Sequence, residues 1–369
     1  MSEDVFRFND ELGPRTIVHV HNPSAGLKGI VVVDNVAAGP AIGGTRMAPD
    51  VSLAECFRLA RAMTFKNAAA GLPHGGAKSV IFGDPAMNAE AKERLIRAFA
   101  YAISDVRDYI PGPDMGTDEM AMAWVRDETG RAVGLPREIG GIPLDEIGAT
   151  GFGLAVAGEV AQGFCDLHLE GARVVVQGFG SVGKHAARYL AERGAVLVAA
   201  SDSRGAVVNP DGLDVAELIA HKEAGAPVTA FSGGKPIAGD DLVGVSCDIW
   251  IPAARPDVIR EDNVGRLDCK LILQGANIAV TEAAETALHQ RGILSVPDFI
   301  ANAGGVICAS VEYHGGTRSG AMGAIEEKIR FNTKAVLEAS AADRIPPRQA
   351  AVRLARERVE KAMATRRWG

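Results

Sequence analysis

The sequence predicts an α/β protein of two domains, the second built on a doubly wound parallel sheet. Three observations carry that expectation. At 369 residues the chain is too long for one ordinary core. Short β-branched runs alternate with helical segments through its second half. The 43 glycines gather in short loops, as tight strand–helix turns require. Hydrophobic residues at 47% against 23% charged let such a chain bury a large core.

From the N-terminus, residues 16–21 alternate in polarity and 29–33 are β-branched, so both read as strands. Residues 39–46, with Gly39, Gly43 and Gly44, read as a glycine-rich loop. Apolar spacing at Leu53, Cys56, Leu59, Ala60 and Met63 predicts a helix from Ser52 to about Ala70, stopped by Gly71 and Pro73. A short strand at 79–82 and an amphipathic helix over about 89–107 follow. Pro111 and Pro113 exclude helix from 109–114, which reads as a loop. Thr117 or Asp118 caps a helix running through Trp124. Residues 130–151, rich in Gly and Pro, read as an inter-domain hinge. Beyond it, strands are expected at 173–177, 196–201, 248–252 and 271–274, with helices between them. Residues 322–367 read as helical, broken around 344–347. The expected partition is 1–135, 136–330 and 331–369.

Charge and composition exclude several function classes. A net charge of −7 and a pI near 5.7 leave no basic face for nucleic acid or for an anionic membrane. The first ten residues carry neither the basic nor the apolar region of a secretory signal. No apolar run reaches the roughly 18 residues of a membrane helix; the longest, at 149–164, is full of Gly and carries Glu159. Cys56, Cys165, Cys247, Cys269 and Cys308 are scattered, as reduced thiols of a cytoplasmic protein would be. The histidines and cysteines show no metal-ligand spacing, so no metal is expected.

The clearest motif is a dinucleotide fingerprint. Strand 173–177 runs into Gly178, Gly180, Ser181, Val182 and Gly183, and a helix follows to about Ala191. Gly178 permits the turn, Gly180 lets backbone amides approach a pyrophosphate, and Gly183 lets helix pack on strand. The next strand ends at Asp202, 19 residues after Gly183, where an acid binds the adenosine 2′-hydroxyl. Asp202 favours NAD. Ser203 and Arg204 beside it leave NADP open, since they suit a 2′-phosphate. The second domain therefore reads as Rossmann-like.

A second constellation is a lysine pair. Lys66 lies in the last turn of its helix, and Lys78 follows the loop 71–77 at a strand start, with no carboxylate between residues 56 and 83. Helix end, glycine loop and strand start form one compact unit that can aim both ammonium groups into one pocket. Of two such lysines, one stays protonated and holds a carboxylate. The other, desolvated and repelled by its neighbour, serves as a base near neutral pH. Asp114 sits in a constrained loop between Pro113 and Gly116. Thr117 and Asp118 are the better helix caps, which leaves Asp114 free to shuttle protons.

These motifs resemble, along nearly the whole chain, the glutamate/leucine/phenylalanine/valine dehydrogenase family. The match is carried by Met63-Thr64-Phe65-Lys66-Asn67, Leu72-Pro73-His74-Gly75-Gly76-Ala77-Lys78 and Gly112-Pro113-Asp114-Met115-Gly116-Thr117. It continues in Ala149-Thr150-Gly151, the Gly178 fingerprint, Gly275-Ala276-Asn277 and residues 297–305. The resemblance implies NAD(P)-dependent oxidative deamination of an L-amino acid to its 2-oxo acid and ammonia. It makes Lys66 the anchor of the substrate α-carboxylate, Lys78 the base that activates water, and Asp114 the proton carrier to and from nitrogen. Thr150, Asn277 and Asn302 would orient the nicotinamide end, Asn302 also lying near the amino group. It further implies C-terminal helices packed on the first domain and a homo-oligomer.

The substrate is read from an absence. Glutamate dehydrogenases of the family place a lysine just before the Gly-Gly of the first glycine loop, and that position is Ile42, followed by Gly43. They place a serine four residues after the second Gly of Asn-Ala-Gly-Gly, and that position is Ala309. An unpaired carboxylate buried there would cost several kcal/mol, whereas an apolar side chain gains roughly 1.5–3 kcal/mol. The pocket therefore favours a branched-chain or aromatic amino acid, with Ile42, Gly43 and Ala309 along its side chain. Against this, residues 110–124 and 139–151 resemble the glutamate branch, and His74 departs from the family pattern. The rival readings are a glutamate dehydrogenase and, more remotely, a non-catalytic nucleotide-binding scaffold. A 2-hydroxy-acid dehydrogenase would need a His–acid pair as proton donor, a role the lysine pair does not fill.

Overall fold

Two sheets organise the chain, one of five strands and one of seven, in a computed structural model that describes residues 6–367. Part of the N-terminal stretch read for a signal, residues 1–5, lies outside the described residues. The contacts divide the chain into two units. The first takes residues up to 143, 306–321 and those from 354 on; the second takes 144–305 and 322–353.

In the first unit the strands are β1 (Thr16–Asn22), β2 (Leu27–Asn35), β3 (Ala41–Ala48), β4 (Gly76–Phe82) and β5 (Tyr109–Pro113), in the order β1-β2-β4-β3-β5. The helices are α1 (Leu53–Ala69), α2 (Ala89–Ala102) and α3 (Glu119–Thr129). β1–β2 and β2–β4 are antiparallel, whereas β3 is parallel to both β4 and β5. β2 is buried on both faces. Val31 and Val33 join Phe99 and Met122 in one cluster, while Ile30 and Val32 join Cys56 and Ala60 in another. A strand covered on both sides reads as a continuous apolar run, as this one does.

Several elements differ from the sequence reading. The glycine-rich loop at 39–46 is largely strand β3, with Gly43 and Gly44 inside it. A Cβ at Gly43 would lie 1.6 Å from the Ala77 carbonyl oxygen, so these glycines serve close strand approach rather than a turn. The proline-bearing loop at 109–114 is mostly strand β5, at the sheet edge and paired only with β3. An edge strand tolerates residues that cannot donate. α2 stops at Ala102 rather than near 107. The Arg131 guanidinium takes up the carbonyls of Ile103, Ser104 and Val106, so the chain beyond Ala102 has partners outside the helix. Asp118 is the cap of α3, accepting from the Ala121 amide at 2.9 Å, and the helix runs past Trp124 to Thr129.

The second unit holds short helices α4 (Leu144–Ile147) and α9 (Asp298–Ala301), with α5 (Ala149–Ala161), α6 (Ser181–Ala191), α7 (Val215–Glu223) and α8 (Glu282–Gln290). Its strands are β6 (Arg173–Gln177), β7 (Val196–Asp202), β8 (Gly205–Val208), β9 (Lys235–Ile237), β10 (Ile249–Pro252), β11 (Leu271–Leu273) and β12 (Leu294–Val296). The order is β12-β11-β10-β6-β7-β8-β9. The five strands from β12 to β7 are parallel, the expected doubly wound sheet, while β8 and β9 add an antiparallel edge. The stretch expected as a hinge, 130–151, is structured in part: it contains α4 and the first turn of α5.

Three helices close the chain: α10 (Gly304–Tyr313), α11 (Arg318–Asp343) and α12 (Pro347–Met363), with the break at 344–346 where expected. The units cut the chain differently from the partition 1–135, 136–330 and 331–369. Residues 331–353 group with the second unit, and residues 306–321 with the first.

Candidate functional site

In the first unit, close backbone packing brings together the elements that carry the lysines. A Cβ at Gly76 would lie 2.0 Å from the Thr64 amide nitrogen, so α1 presses on β4 where only glycine fits. Lys66 and Lys78 each lie two residues beyond that contact. Lys66 sits half-buried in the last turn of α1, and Lys78 is buried in β4, which also takes in Gly76 and Ala77 of the expected loop. Asn67, fully buried beside Lys66, donates to the Gly75 carbonyl at 2.7 Å and the Ile42 carbonyl at 3.3 Å, pinning the glycine loop to β3.

Asp114 comes to Lys78. The Lys78 ammonium pairs with Asp114 Oδ2, and Arg46 Nη2 lies 3.5 Å from Oδ1. The Met115 amide donates to Oδ1 at 2.7 Å. Gly44 makes room for the pair, since a Cβ there would lie 2.8 Å from Asp114 Cβ and 2.9 Å from Lys78 Nζ. Burial pushes the Asp114 carboxyl up, but Lys78 and then Arg46 outweigh it and hold the carboxyl below the usual range. Thr117 does not cap α3. Its hydroxyl donates to the Thr45 carbonyl at 2.7 Å and accepts from the Asp114 amide at 3.0 Å, fixing the Asp114 backbone.

Arg46 is the partner that sequence reasoning missed. It bonds Glu55 as well as Asp114. Its signal was present, a cation inside an otherwise apolar glycine motif, but its partners lie 9 and 68 residues away. His74 is buried, with Nδ1 3.0 Å from the Pro40 carbonyl and its ring against Tyr313 and His314. Burial pushes its pKa down; the Pro40 carbonyl pulls it part of the way back, and the neighbouring His314 lowers it by a lesser amount.

Ile42 and Ala309 meet. With Ile110 and Val133 they form one buried apolar cluster within the first unit. Three residues along α10, the buried Glu312 carboxylate accepts the Gly134, Leu135 and Ile142 amides at 2.8, 3.2 and 2.8 Å. That clasp ties α10, and so Ala309, to the segment carrying Val133. Burial pushes the Cys56 and Cys308 thiols up to about 12, so neither is a ready nucleophile.

In the second unit the fingerprint has the geometry a dinucleotide requires. Gly178 turns with φ +93°, where a Cβ would lie 2.7 Å from that of Ala254. A Cβ at Gly183 would meet the Gly178 carbonyl oxygen at 2.1 Å, while the space at Gly180 is open. Gly180 caps α6 with no side-chain bond, leaving the first-turn amides of Ser181, Val182 and Gly183 for an anion. Asp202 ends β7 beside a cavity of about 630 Å³ lined by Gly178, Ser203, Arg204 and Arg255, within the range of small-molecule clefts. These residues fit a dinucleotide.

The Asp202 carboxylate is already engaged. Oδ2 takes Lys222 Nζ at 2.6 Å and the Val228 amide at 2.9 Å, and Oδ1 takes the Arg204 amide at 2.9 Å. Burial raises this carboxyl, but Lys222 and the two amides win and hold it below the usual range. Lys222 lies 20 residues on, and no motif announced it. At the other end of the sheet Asn302 Nδ2 donates to Asn277 Oδ1 at 3.0 Å and to the Gly275 carbonyl at 3.1 Å. Thr150 packs on the glycines that follow Asn302: a Cβ at Gly304 would lie 2.0 Å from the Ala149 carbonyl oxygen, and one at Gly305 3.4 Å from Thr150 Oγ1. Among the described residues, no three His, Cys, Asp or Glu side chains gather as a metal site, and no helix is long and apolar enough to cross a membrane.

Comparison with known proteins agrees with this geometry. Residues 14–131 match the profile described as Glu/Leu/Phe/Val dehydrogenase, dimerisation domain, and 140–367 that described as Glutamate/Leucine/Phenylalanine/Valine dehydrogenase. A glutamate dehydrogenase of Aeropyrum pernix is 39% identical over 90% of this chain and 85% of its own. An NADP(+)-dependent glutamate dehydrogenase of Pyrobaculum calidifontis is 38% identical over 92% and 87%. Among solved structures, the hetero-hexameric glutamate dehydrogenase of Thermus thermophilus in a Leu-bound form superposes with a TM-score of 0.83 at 30% identity, covering 95% of this chain and 89% of that one. The L-tryptophan dehydrogenase of Nostoc punctiforme does so with a TM-score of 0.74 at 25% identity, over 96% and 98%.

Proposed function

The chain belongs to the glutamate/leucine/phenylalanine/valine dehydrogenase family, and we propose that within it the protein deaminates an apolar L-amino acid, reversibly, with NAD as the preferred coenzyme. It is an amino acid dehydrogenase, an oxidoreductase acting on CH–NH2 donors with NAD or NADP. The observation that carries the substrate reading is the buried cluster of Ile42, Ile110, Val133 and Ala309. None of these four side chains can donate a hydrogen bond, so a glutamate γ-carboxylate lying against them would gain no partner from them.

In this reading Lys66 holds the substrate α-carboxylate and Gly43 lets the substrate lie close to β3. The coenzyme, when bound, accepts the hydride from Cα, with Thr150, Asn277 and Asn302 orienting its nicotinamide end. Lys78 takes a proton from the water that adds to the resulting iminium. Asp114 takes a proton from the substrate ammonium before the hydride leaves and returns it to the nitrogen of the water adduct, so that ammonium departs and the 2-oxo acid remains. Gly178, Gly180, Ser181, Val182 and Gly183 take the pyrophosphate. Asp202 takes the adenosine ribose, and its neutralisation by Lys222, with Ser203 and Arg204 alongside, keeps NADP acceptable. A homo-oligomer fits the dimerisation-domain match, and five unpaired cysteines fit a reducing cytoplasm.

A glutamate dehydrogenase is the second reading, favoured by the names of the similar proteins. A screen of the twenty amino acids with NAD and NADP, followed as NADH or NADPH absorbance, separates the two. The apolar reading expects Leu, Val, Ile, Phe or Trp to exceed glutamate in kcat/KM by about 100-fold, the cost of one unpaired buried carboxylate. Glutamate in the lead would overturn it.

A further inference from the structure

We propose that Arg348, on α12, is a positioning residue for the nicotinamide end of the coenzyme, acting through Asp298 on the loop that carries Asn277. The proposal rests on the reading above that Asn277 and Asn302 meet the nicotinamide.

Arg348 is a junction. Its Nε donates to Glu285 Oε1 at 3.0 Å, and its Nη2 to Gln274 Oε1 and Asp298 Oδ1, both at 2.9 Å. Gln274 closes the network by donating to Glu285 at 2.6 Å and to Ser295 at 2.9 Å. Glu285, Gln274, Ser295 and Asp298 are all buried. One guanidinium thus fixes the end of β11, the start of α8 and the segment from β12 into α9.

Asp298 passes that constraint on. Its second oxygen, Oδ2, accepts the Ile278 amide at 2.7 Å. Ile278 has φ +52°, a left-handed conformation that a β-branched residue adopts only when its surroundings hold it there. Ile278 is half-exposed and gains little from packing, so hydrogen bonds restrain it: the Asp298 carboxylate holds its amide, and the Asp257 amide donates to its carbonyl at 2.8 Å. The backbone is thereby set at the residue following Asn277. The other amide hangs from the same residue, because the Asn302 backbone nitrogen donates to the Asp298 carbonyl at 2.7 Å. Both amides, 3.0 Å apart, depend on where Asp298 stands, and Arg348 orients its carboxylate. The adenosine end has its own supports on α6 and β7, and among the described residues no hydrogen bond links them to Arg348, Asp298, Glu285 or Gln274.

That separation provides the test. NADH and ADP-ribose, which lacks the nicotinamide, are titrated into the wild-type protein and into Arg348→Met, Arg348→Lys and Asp298→Asn. In Asp298→Asn the amide oxygen can still accept from Ile278, but only by turning its NH2 toward Arg348. The Arg348→Met and Asp298→Asn proteins should bind NADH about tenfold or more weakly, as losses beyond direct contact commonly cost, and ADP-ribose within about twofold of wild type. Arg348→Lys should fall between, since one ammonium cannot reproduce the fork. Equal loss of both ligands, or unchanged NADH binding, overturns the proposal. Where Arg348→Met does not fold, Arg348→Lys and Asp298→Asn decide it. An Asn277→Ala control separates the layers: unchanged NADH binding there sinks the nicotinamide assignment itself. Weaker binding there, with Arg348 and Asp298 variants unaffected, sinks only the role of Arg348.

Discussion

At the scale of single residues, the Lys78–Asp114 pair depends on what is missing beside it. Gly44 faces the pair so closely that one added methyl would stand 2.8 Å from Asp114 Cβ and 2.9 Å from Lys78 Nζ. Gly44→Ala should therefore push the two apart and lower kcat about 100-fold, the effect of an ångström-scale misplacement. Dinucleotide binding, which belongs to the other unit, should stay near wild type. Steady-state kinetics beside an NADH titration reads both, and a kcat within about threefold of wild type, well short of that effect, refutes the argument. Lys66, Lys78 and Asp114 stood out in the sequence because each sits in a motif whose residue types suit the chemistry, and Asp114 does reach Lys78. Their support was not legible. Arg46 reaches Glu55 and Asp114, and Lys222 reaches Asp202, across distances in sequence that carry no pattern. Thr117 and Asp118 were both read as candidates for the cap; Asp118 fills that place, and Thr117 holds the backbone of Asp114 instead.

At the scale of elements, helices with sharp caps and most of the parallel strands were readable, and the misreadings have two causes. β3 and β5 contain glycine and proline, which locally signal a loop, but tertiary contacts make them strands. β8, β9 and β12 are only 4, 3 and 3 residues long, too short to show a period. α10 illustrates how an element is fixed from outside its own pattern. Its Glu312 is buried and accepts three backbone amides of the segment 134–142. Glu312→Ala leaves three donors without a partner and should cost about 3 kcal/mol. Glu312→Gln keeps one acceptor oxygen and should cost about 1 kcal/mol. Because Ala309 rides on the same helix, the alanine variant should also raise KM for the amino acid. Urea unfolding with amino-acid kinetics measures both, and an alanine variant within ~0.5 kcal/mol of wild type, the ordinary range of surface changes, would show the clasp is idle.

At the scale of the whole molecule, each unit carries one buried histidine that burial holds toward its neutral form. His74 lies in the first unit and His185 in the second, 1% and 6% exposed, so solvent screens neither. Both have folded pKa values pushed below the ordinary 6.5, chiefly by burial, His185 also by Arg188 and Lys184. The unfolded chain therefore binds protons first as pH falls. Stability is full above about 6.5 and is lost as pH drops below it, by up to roughly 1.4 kcal/mol per pH unit for each histidine until the folded form also titrates. Buried carboxyls act in the opposite sense. Burial raises Asp34, Glu285 and Glu312 above their ordinary values, so on acidification they take protons in the folded state first. That compensation runs from their raised folded values down to their ordinary values of 3.8 to 4.5, so it opposes the histidines at the acid end of the range. Between pH 7.5 and 5.5 the histidines should dominate, and thermal midpoints should fall in both units. His74→Phe loses the bond to Pro40 and starts less stable at pH 7.5, but its unit should show a flatter slope. Pairing it with His185→Gln should flatten both. Calorimetric scans across that window decide the matter: midpoints level in the wild type, or a slope unchanged in the double variant, would remove the histidines from the explanation.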